Sequence, residues 1–207
     1  MPHQFSELTF TPSVQQVQTE NGSRSANVAL NTRGPANDTL GTSERSFIAE
    51  RDGFYMASIT ESNWPYVQFR GGPAGFLHVL DDHTLAFADV TGNRQYISTG
   101  NLRANPRVAL FLMDYPNQTR LKILAEAEIH PWAAAPAWKH FLLRDPGYRP
   151  ERVVTLHVRA FDWNCPQHIP QRYTVDELRG SALALRIREL EAENQKLRSA
   201  LARKPVT

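Results

Sequence analysis

The run Tyr66–Pro73, YVQFRGGP, starts as a strand and then abandons its own pattern. Aromatic and β-branched residues fit a pleated, half-buried surface, yet an arginine, two glycines and a proline follow. Glycine weakens a strand and marks a bulge or the close approach of another backbone or a ligand. An arginine beside such bare backbone is suited to holding an anion bidentately. Working outward, similar strand-like segments recur: GFYMASIT (53–60), WPYVQFR (64–70), GFLHVL (75–80), TLAFADV (84–90), RVALFLMD (107–114), LKILAEAEI (121–129) and RVVTLHVRAFDW (152–163). Several alternate apolar and polar residues, as half-buried antiparallel strands do. Short polar turns such as Glu61-Ser62-Asn63 and Asp81-Asp82-His83 favour hairpins over helical crossovers. Helices are expected at SERSFIAERD (43–52) and PWAAAPAWKHFLLR (131–144). Many short strands with few helices predict a mainly β fold with peripheral helices, closed into a barrel because closure removes exposed edges.

Composition divides the chain into three zones. Residues 1–42 are polar, with one helix expected where Thr11 can cap, Pro12 can open and Gly22 can end it. Asn31 to Ser43, NTRGPANDTLGTS, reads as an extended arm. Residues 43–173 carry the barrel. Residues 174–207 begin with a capping box, Thr174-Val175-Asp176-Glu177, and stay helix-compatible apart from Gly180. In that last zone Leu183, Leu190 and Leu197 are spaced by seven, interleaved with Ile187, Asn194 and Leu201. With the first set at d and the second at a, the pattern is that of a parallel two-stranded coiled coil. Arg186 and Glu193 at g face Glu191 and Arg198 at e of a partner. The segment before it, QRYTVDELRGSALALR, mixes acids with few arginines, unlike the basic arm of a DNA-binding zipper.

The bulk numbers exclude several classes. Of 207 residues, 23 are Lys or Arg and 21 are Asp or Glu, a net charge of +2, too weak for bulk nucleic-acid or anionic-membrane binding. No apolar run approaches the ~18 residues of a membrane span, and MPHQFSELTF lacks the features of a secretory signal. The single cysteine, Cys165, permits no internal disulfide, so a reducing, cytoplasmic setting is expected, with that thiol buried and inert. The seven histidines show no ligand spacing, so no metal site is expected. Neither a GxGxxG nor a P-loop sequence occurs.

A second anomaly is FADVTGNRQYI, Phe87 to Ile97. A strand runs into Gly92, and Asn93-Arg94-Gln95 then offers a dense set of donors. Backbone N–H groups at a turn or helix start, with a guanidinium beside them, make a phosphate cradle.

Taken together, WPYVQFRGGPAGFL (64–77), LAFADVTGNRQYISTGNL (85–102), NPRVALFLMDY (105–115) and DWNCPQHIPQRY (162–173) resemble the FMN-binding split-barrel family typified by pyridoxamine 5′-phosphate oxidase. The closer similarity is to its branch of flavin-nucleotide-binding proteins. The resemblance implies a split β-barrel and a homodimer with FMN at the subunit interface. It lays Gln68, Phe69, Arg70, Gly71 and Gly72 along the cofactor, with Ala88 and Asp89 on the next strand. It gives Asn93, Arg94 and Gln95 to the phosphate. Gln95 stands where the family has lysine, which leaves Arg70 or Lys122 to supply the missing charge. Trp163 matches a family tryptophan near the flavin, with Gln167 and Arg172 as further polar contacts. The family's recognition of its phosphorylated substrate is not matched: only Arg144 has a counterpart, and His168 stands alone where an Arg-x-His is found. Pyridoxamine-phosphate oxidation is therefore not expected. In flavoenzymes the cofactor carries the redox step, and no catalytic nucleophile or base is assigned. The resemblance implies a flavin-dependent oxidoreductase acting on an unidentified small molecule, with a nicotinamide nucleotide or oxygen as redox partner. A non-catalytic flavin- or haem-binding carrier or sensor stands as the alternative, an empty-barrelled assembly module as a third reading, and FMN against a deazaflavin is open.

Overall fold

The structure, a computed structural model, describes residues 3–33, 35–143, 147–163, 167–180 and 182–202. All seven expected strands form: β1 (Gly53–Ile59), β2 (Pro65–Gly71), β3 (His78–Val79), β4 (Thr84–Val90), β5 (Arg107–Asp114), β6 (Thr119–Pro131) and β7 (Pro150–Trp163). They make one sheet in the order β2-β1-β5-β6-β7-β4-β3, antiparallel at every pairing. β3 is cut to two residues because Gly75, at φ 76°, turns the chain just before it.

The alternation in the sequence is the alternation in the barrel. Val108, Leu110 and Leu112 of β5 point inward, as do Leu121, Ile123, Ala125 and Ala127 of β6. Phe54 of β1 packs at 5.5 Å on Phe87 of β4, with three strands between them in the sheet order, and stacks at 5.6 Å on Phe76. The sheet therefore curls until its two ends approach. β2 and β4 share no backbone ladder; an ion pair from Arg70 to Asp89 at 2.6 Å spans the gap. This is a split barrel, closed by side chains where a full barrel is closed by hydrogen bonds.

The N-terminal zone departs from the sequence reading. Three helices replace the one expected: α1 (Gln4–Thr9), α2 (Pro12–Glu20, with Thr11 at the N-cap position but no side-chain cap bond) and α3 (Arg24–Arg33). The expected extended arm is helical as far as Arg33, and its later part is bound to the barrel. Leu40 is 1% exposed within the core, its N–H donates to the Asp82 carbonyl at 2.8 Å, and Phe161 N–H donates to the Asn37 carbonyl at 2.7 Å. Polar composition hid a segment whose order comes from one anchoring leucine and backbone pairing. The expected helix α4 forms over Thr42–Ala49.

Two further expectations need correction. Residues 131–144 do not form one helix but two 3-10 turns, Trp132–Ala134 and Ala137–Leu142. Pro136 lacks an N–H and drives Ala135 to an extended conformation (ψ 155°). Conversely, α5 (Ile97–Ala104) went unforeseen. Its buried residues are Ser98, Asn101 and Leu102, so a search for apolar periodicity passes over it. Asn101 donates to Ser58 Oγ at 3.0 Å, which satisfies the buried amide.

Residues 1–114 with 119–167 form one compact unit, and 115–118 with 168–207 a second. In the second, Gln118 donates to the Ile169 carbonyl at 2.6 Å and Gln171 to the Pro116 carbonyl at 2.9 Å. Its helices are α6 (Val175–Gly180) and α7 (Ala182–Ala202). The capping box is realised: Glu177 N–H donates to Thr174 Oγ1 at 3.2 Å, and Thr174 N–H to the Glu177 carboxylate at 2.7 Å. Arg144, Cys165 and the side chains of Leu183 and Leu201 lie outside the described residues. Among the described residues no helix is long and apolar enough to cross a membrane.

Candidate functional site

Strand β2 has two faces, and they do different things. Tyr66, Gln68 and Arg70 point to one side and Val67, Phe69 and Gly71 to the other, with the period of two that any strand imposes. The first set lines an open cleft together with Asp89, the loop Gly92–Tyr96, the first turn of α5 and Arg152 of β7.

Asp89 organises the cleft floor. Its carboxylate, 5% exposed, accepts from Arg70 at 2.6 Å and from Arg152 at 2.8 Å. A buried carboxylate is tolerated only when paired and hydrogen-bonded, and here two guanidinium groups share it. Arg152 also reaches Glu151 at 2.7 Å and lies 5.0 Å over the Tyr96 ring. Burial alone would lower the Arg152 pKa, but the hydrogen bonds and charges of Asp89 and Glu151 raise it above the usual arginine value. Burial pushes the Glu151 carboxyl up, yet a hydrogen bond to Thr91 and the charge of Arg152 outweigh it and hold the group below its ordinary range.

The rim of the cleft is built from strained backbone. Arg94 and Tyr96 both adopt left-handed conformations, φ 61° and φ 55°. Non-glycine residues occupy that region rarely, and alternate left-handed turns of this kind form anion-binding concavities of backbone N–H groups. Gln95 N–H is held by the Asn93 side-chain oxygen at 3.1 Å. Tyr96 then serves as the N-cap of α5 with no side-chain cap bond. The opening N–H groups of a helix have no partner within it, so those of Ile97, Ser98 and Thr99 form a second set of donors. Arg94 donates weakly to the Tyr96 hydroxyl at 3.4 Å, which in turn donates to Glu151 at 3.3 Å. That hydrogen bond, then the charges of Tyr96 and Glu151, raise the Arg94 pKa further above the usual value.

The cleft lining carries three arginines against one aspartate, a cationic excess. In addition the Arg70 Nε is buried without a hydrogen-bond partner. Excess positive charge, an unsatisfied guanidinium N–H and a helix N-terminus converge on one place. The donor set fits a phosphate-bearing ligand.

Of the residues marked out in the sequence, Gln68, Arg70, Asp89, Asn93, Arg94 and Gln95 come together here. Gln68 is fixed by the Ser98 hydroxyl, which donates to its carbonyl at 2.7 Å. Gly71, Gly72 and Ala88 line a smaller neighbouring crevice with Tyr148. The packing supplies its own reason for the two glycines. A Cβ on Gly71 would stand 2.8 Å from the Phe69 ring, and one on Gly72 would stand 2.8 Å from Phe76. Phe69 itself is 57% exposed on the outer face, 5.3 Å from Tyr55. Lys122 also lies on the outer face, paired with Asp162 at 2.7 Å and set 4.7 Å over the Phe5 ring. Trp163 packs edge-on against Phe47 and donates to Glu44 at 2.7 Å. Gln167 is exposed, and Arg172 lies over Tyr115, 4.9 Å away, within the second unit. Sequence reasoning missed Tyr96, Ser98, Thr99 and Arg152. For Arg152 a signal existed: Asp89 in mid-strand demands a partner, and the β4–β7 register sets Arg152 directly opposite.

Solved structures similar to this chain include HupZ from Group A Streptococcus (15% identity, 65% of this chain and 99% of that one, TM-score 0.48). An FMN-binding protein from Syntrophomonas wolfei is similar at 9% identity, over 72% of this chain and 97% of that one, with a TM-score of 0.44. General Stress Protein 26 from Bacillus anthracis is similar at 13% identity, over 57% and 88%, with a TM-score of 0.40. No curated protein matches the sequence. The family model for pyridoxamine 5′-phosphate oxidase matches residues 42–161, from helix α4 into strand β7. With that match over more than half its length, the chain belongs to the pyridoxamine 5′-phosphate oxidase family, whose fold is of the flavin-binding oxidoreductase type.

Proposed function

We propose that this protein binds FMN and acts as a flavin-dependent oxidoreductase on a small molecule, with a nicotinamide nucleotide or oxygen as redox partner. The observation that carries the reading is the anion cradle: Arg94 on a left-handed loop, the N-terminus of α5 directly after it, and Arg70 and Arg152 on the floor. The phosphate would be held by Arg94 and the N–H groups of the loop and helix. Gln68 and Arg70, projecting from adjacent inward positions of β2, would orient the ring portion. When bound, the flavin supplies the redox chemistry; the chain's own residues bind and position it.

The outer face of β2 and its neighbours supports a homodimer with the cofactor near the subunit interface. Tyr55, Ala57, Val67, Ala109 and Phe111 line an apolar hollow there, and Val67 is 58% exposed. Since β2 carries the hollow on one face and the cleft on the other, a copy docked on the hollow would approach the cofactor.

The test is a spectroscopic titration of the purified protein with FMN. Wild type should retain a flavin spectrum after excess is removed. Arg94→Ala should lose one charge-assisted contact, about 1.5–3 kcal/mol, or roughly 10- to 100-fold in Kd. Unchanged affinity would remove the phosphate assignment. A protein that ignores FMN but takes up a deazaflavin or haem would replace the cofactor.

A further inference from the structure

We infer that α7 forms a parallel, in-register coiled coil with α7 of a second copy of this chain, a connection independent of the flavin reading. The helix is continuous over Ala182–Ala202. Ile187 and Leu190 are each 47% exposed and Leu197 is 59% exposed, although these are the residues of one narrow stripe at three- and four-residue spacing. Helices in proteins draw most of their stability from packing an apolar face, and the stripe of this 21-residue helix lies in water in the single chain.

The stripe specifies a copy of itself. Ile187 and Asn194 occupy the a positions and Leu190 and Leu197 the d positions. Leucine at d with a β-branched or polar residue at a favours two parallel strands, and an asparagine at a fixes register and strand number. The rim charges are self-complementary in that arrangement. Arg186 meets Glu191 of the partner subunit, and Glu193 meets Arg198 of the partner subunit. In the single chain Arg186 is held by Glu189 at 3.0 Å, an exposed pair that is exchanged at little cost.

The experiment uses the full chain with Cys165→Ser and Asn194→Cys. In a parallel in-register pair the two new thiols lie within disulfide reach, so mild oxidation should give a covalent dimer. The control Glu189→Cys, on the outside of the coil, should not. Two charge-swapped forms then test the pairing: Arg186→Glu with Glu193→Arg, and Glu191→Arg with Arg198→Glu. Each form alone sets like charges against like, and its cross-linked yield should fall several-fold. Coexpressed, the two forms are complementary and the yield should return. Helix content by circular dichroism shows that each form is folded. Absence of cross-linking at position 194, equal cross-linking at 189, or no recovery on coexpression would each overturn the proposal, whether α7 then pairs antiparallel, packs within its own chain or meets another protein.

Discussion

Asp89 is the residue on which the candidate site turns. Two strands aim arginines at one buried carboxylate, so its loss leaves two guanidinium groups without their counter-charge. Breaking a buried pair costs about 3–5 kcal/mol because the remaining charge is uncompensated. Asp89→Asn should therefore lower the unfolding free energy by about that amount in urea denaturation, and a loss below about 1 kcal/mol would show the arginines finding solvent instead. Glu151 gives a pH signature. Its folded pKa lies below the ordinary value of 4.5, so the charged form is favoured by folding. The stability this contributes is complete above the unfolded value and is lost as pH falls through the folded one. Glu151→Gln should flatten the stability profile in the acid limb, as pH falls through and below the ordinary value of 4.5, read from denaturation midpoints. An unchanged profile would mean that Glu151 has no folded-state partner.

At the scale of elements, the bend after β2 depends on close packing. Gly72 faces Phe76 at its Cγ and Cβ, the stiff base of a ring that is stacked on Phe54. Gly72→Ala must shift that ring, at about 1–3 kcal/mol. Gly53→Ala meets the far end of the exposed Phe69 ring, which can swing into solvent, and the Arg70 carbonyl oxygen at 3.2 Å, which must give by a few tenths of an ångström; it should cost less. Equal effects in thermal denaturation would refute the distinction. Leu40→Ala should cost about 2–5 kcal/mol if the N-terminal segment is anchored as described; a surface-like effect would detach it. The strands were legible because one face of each is buried, which writes a period of two into the sequence. α5 was not, because it buries Ser98 and Asn101 where a pattern search looks for leucine. Of the N-terminal helices, α2 was legible from Thr11, Pro12 and Gly22, whereas α1 was hidden for a related reason: the side chain it buries is Ser6. Arg94 stood out by its chemistry, whereas Arg152 required the register of two strands distant in sequence.

For the whole molecule, a ligand that binds only the folded form adds RT ln(1 + [L]/Kd) to stability. FMN at a hundredfold excess over Kd should add about 2.7 kcal/mol and raise the melting temperature. The same FMN concentration should add only about 0.4–1.4 kcal/mol to Arg94→Ala, and an equal rise in both proteins would locate binding elsewhere. The split in the barrel has a mechanical consequence. Around most of the sheet, parting two strands means breaking a ladder; between β2 and β4, among the described residues, it means releasing Arg70 from Asp89 and from the Phe87 ring it lies over. The barrel is thus a hoop with a clasp, and the clasp lies in the floor of the anion cleft. A molecule seated there would lean on both sides of the join, so amide exchange along β2 should slow when the cleft fills while the centre of β6, laddered on both sides, stays as it was.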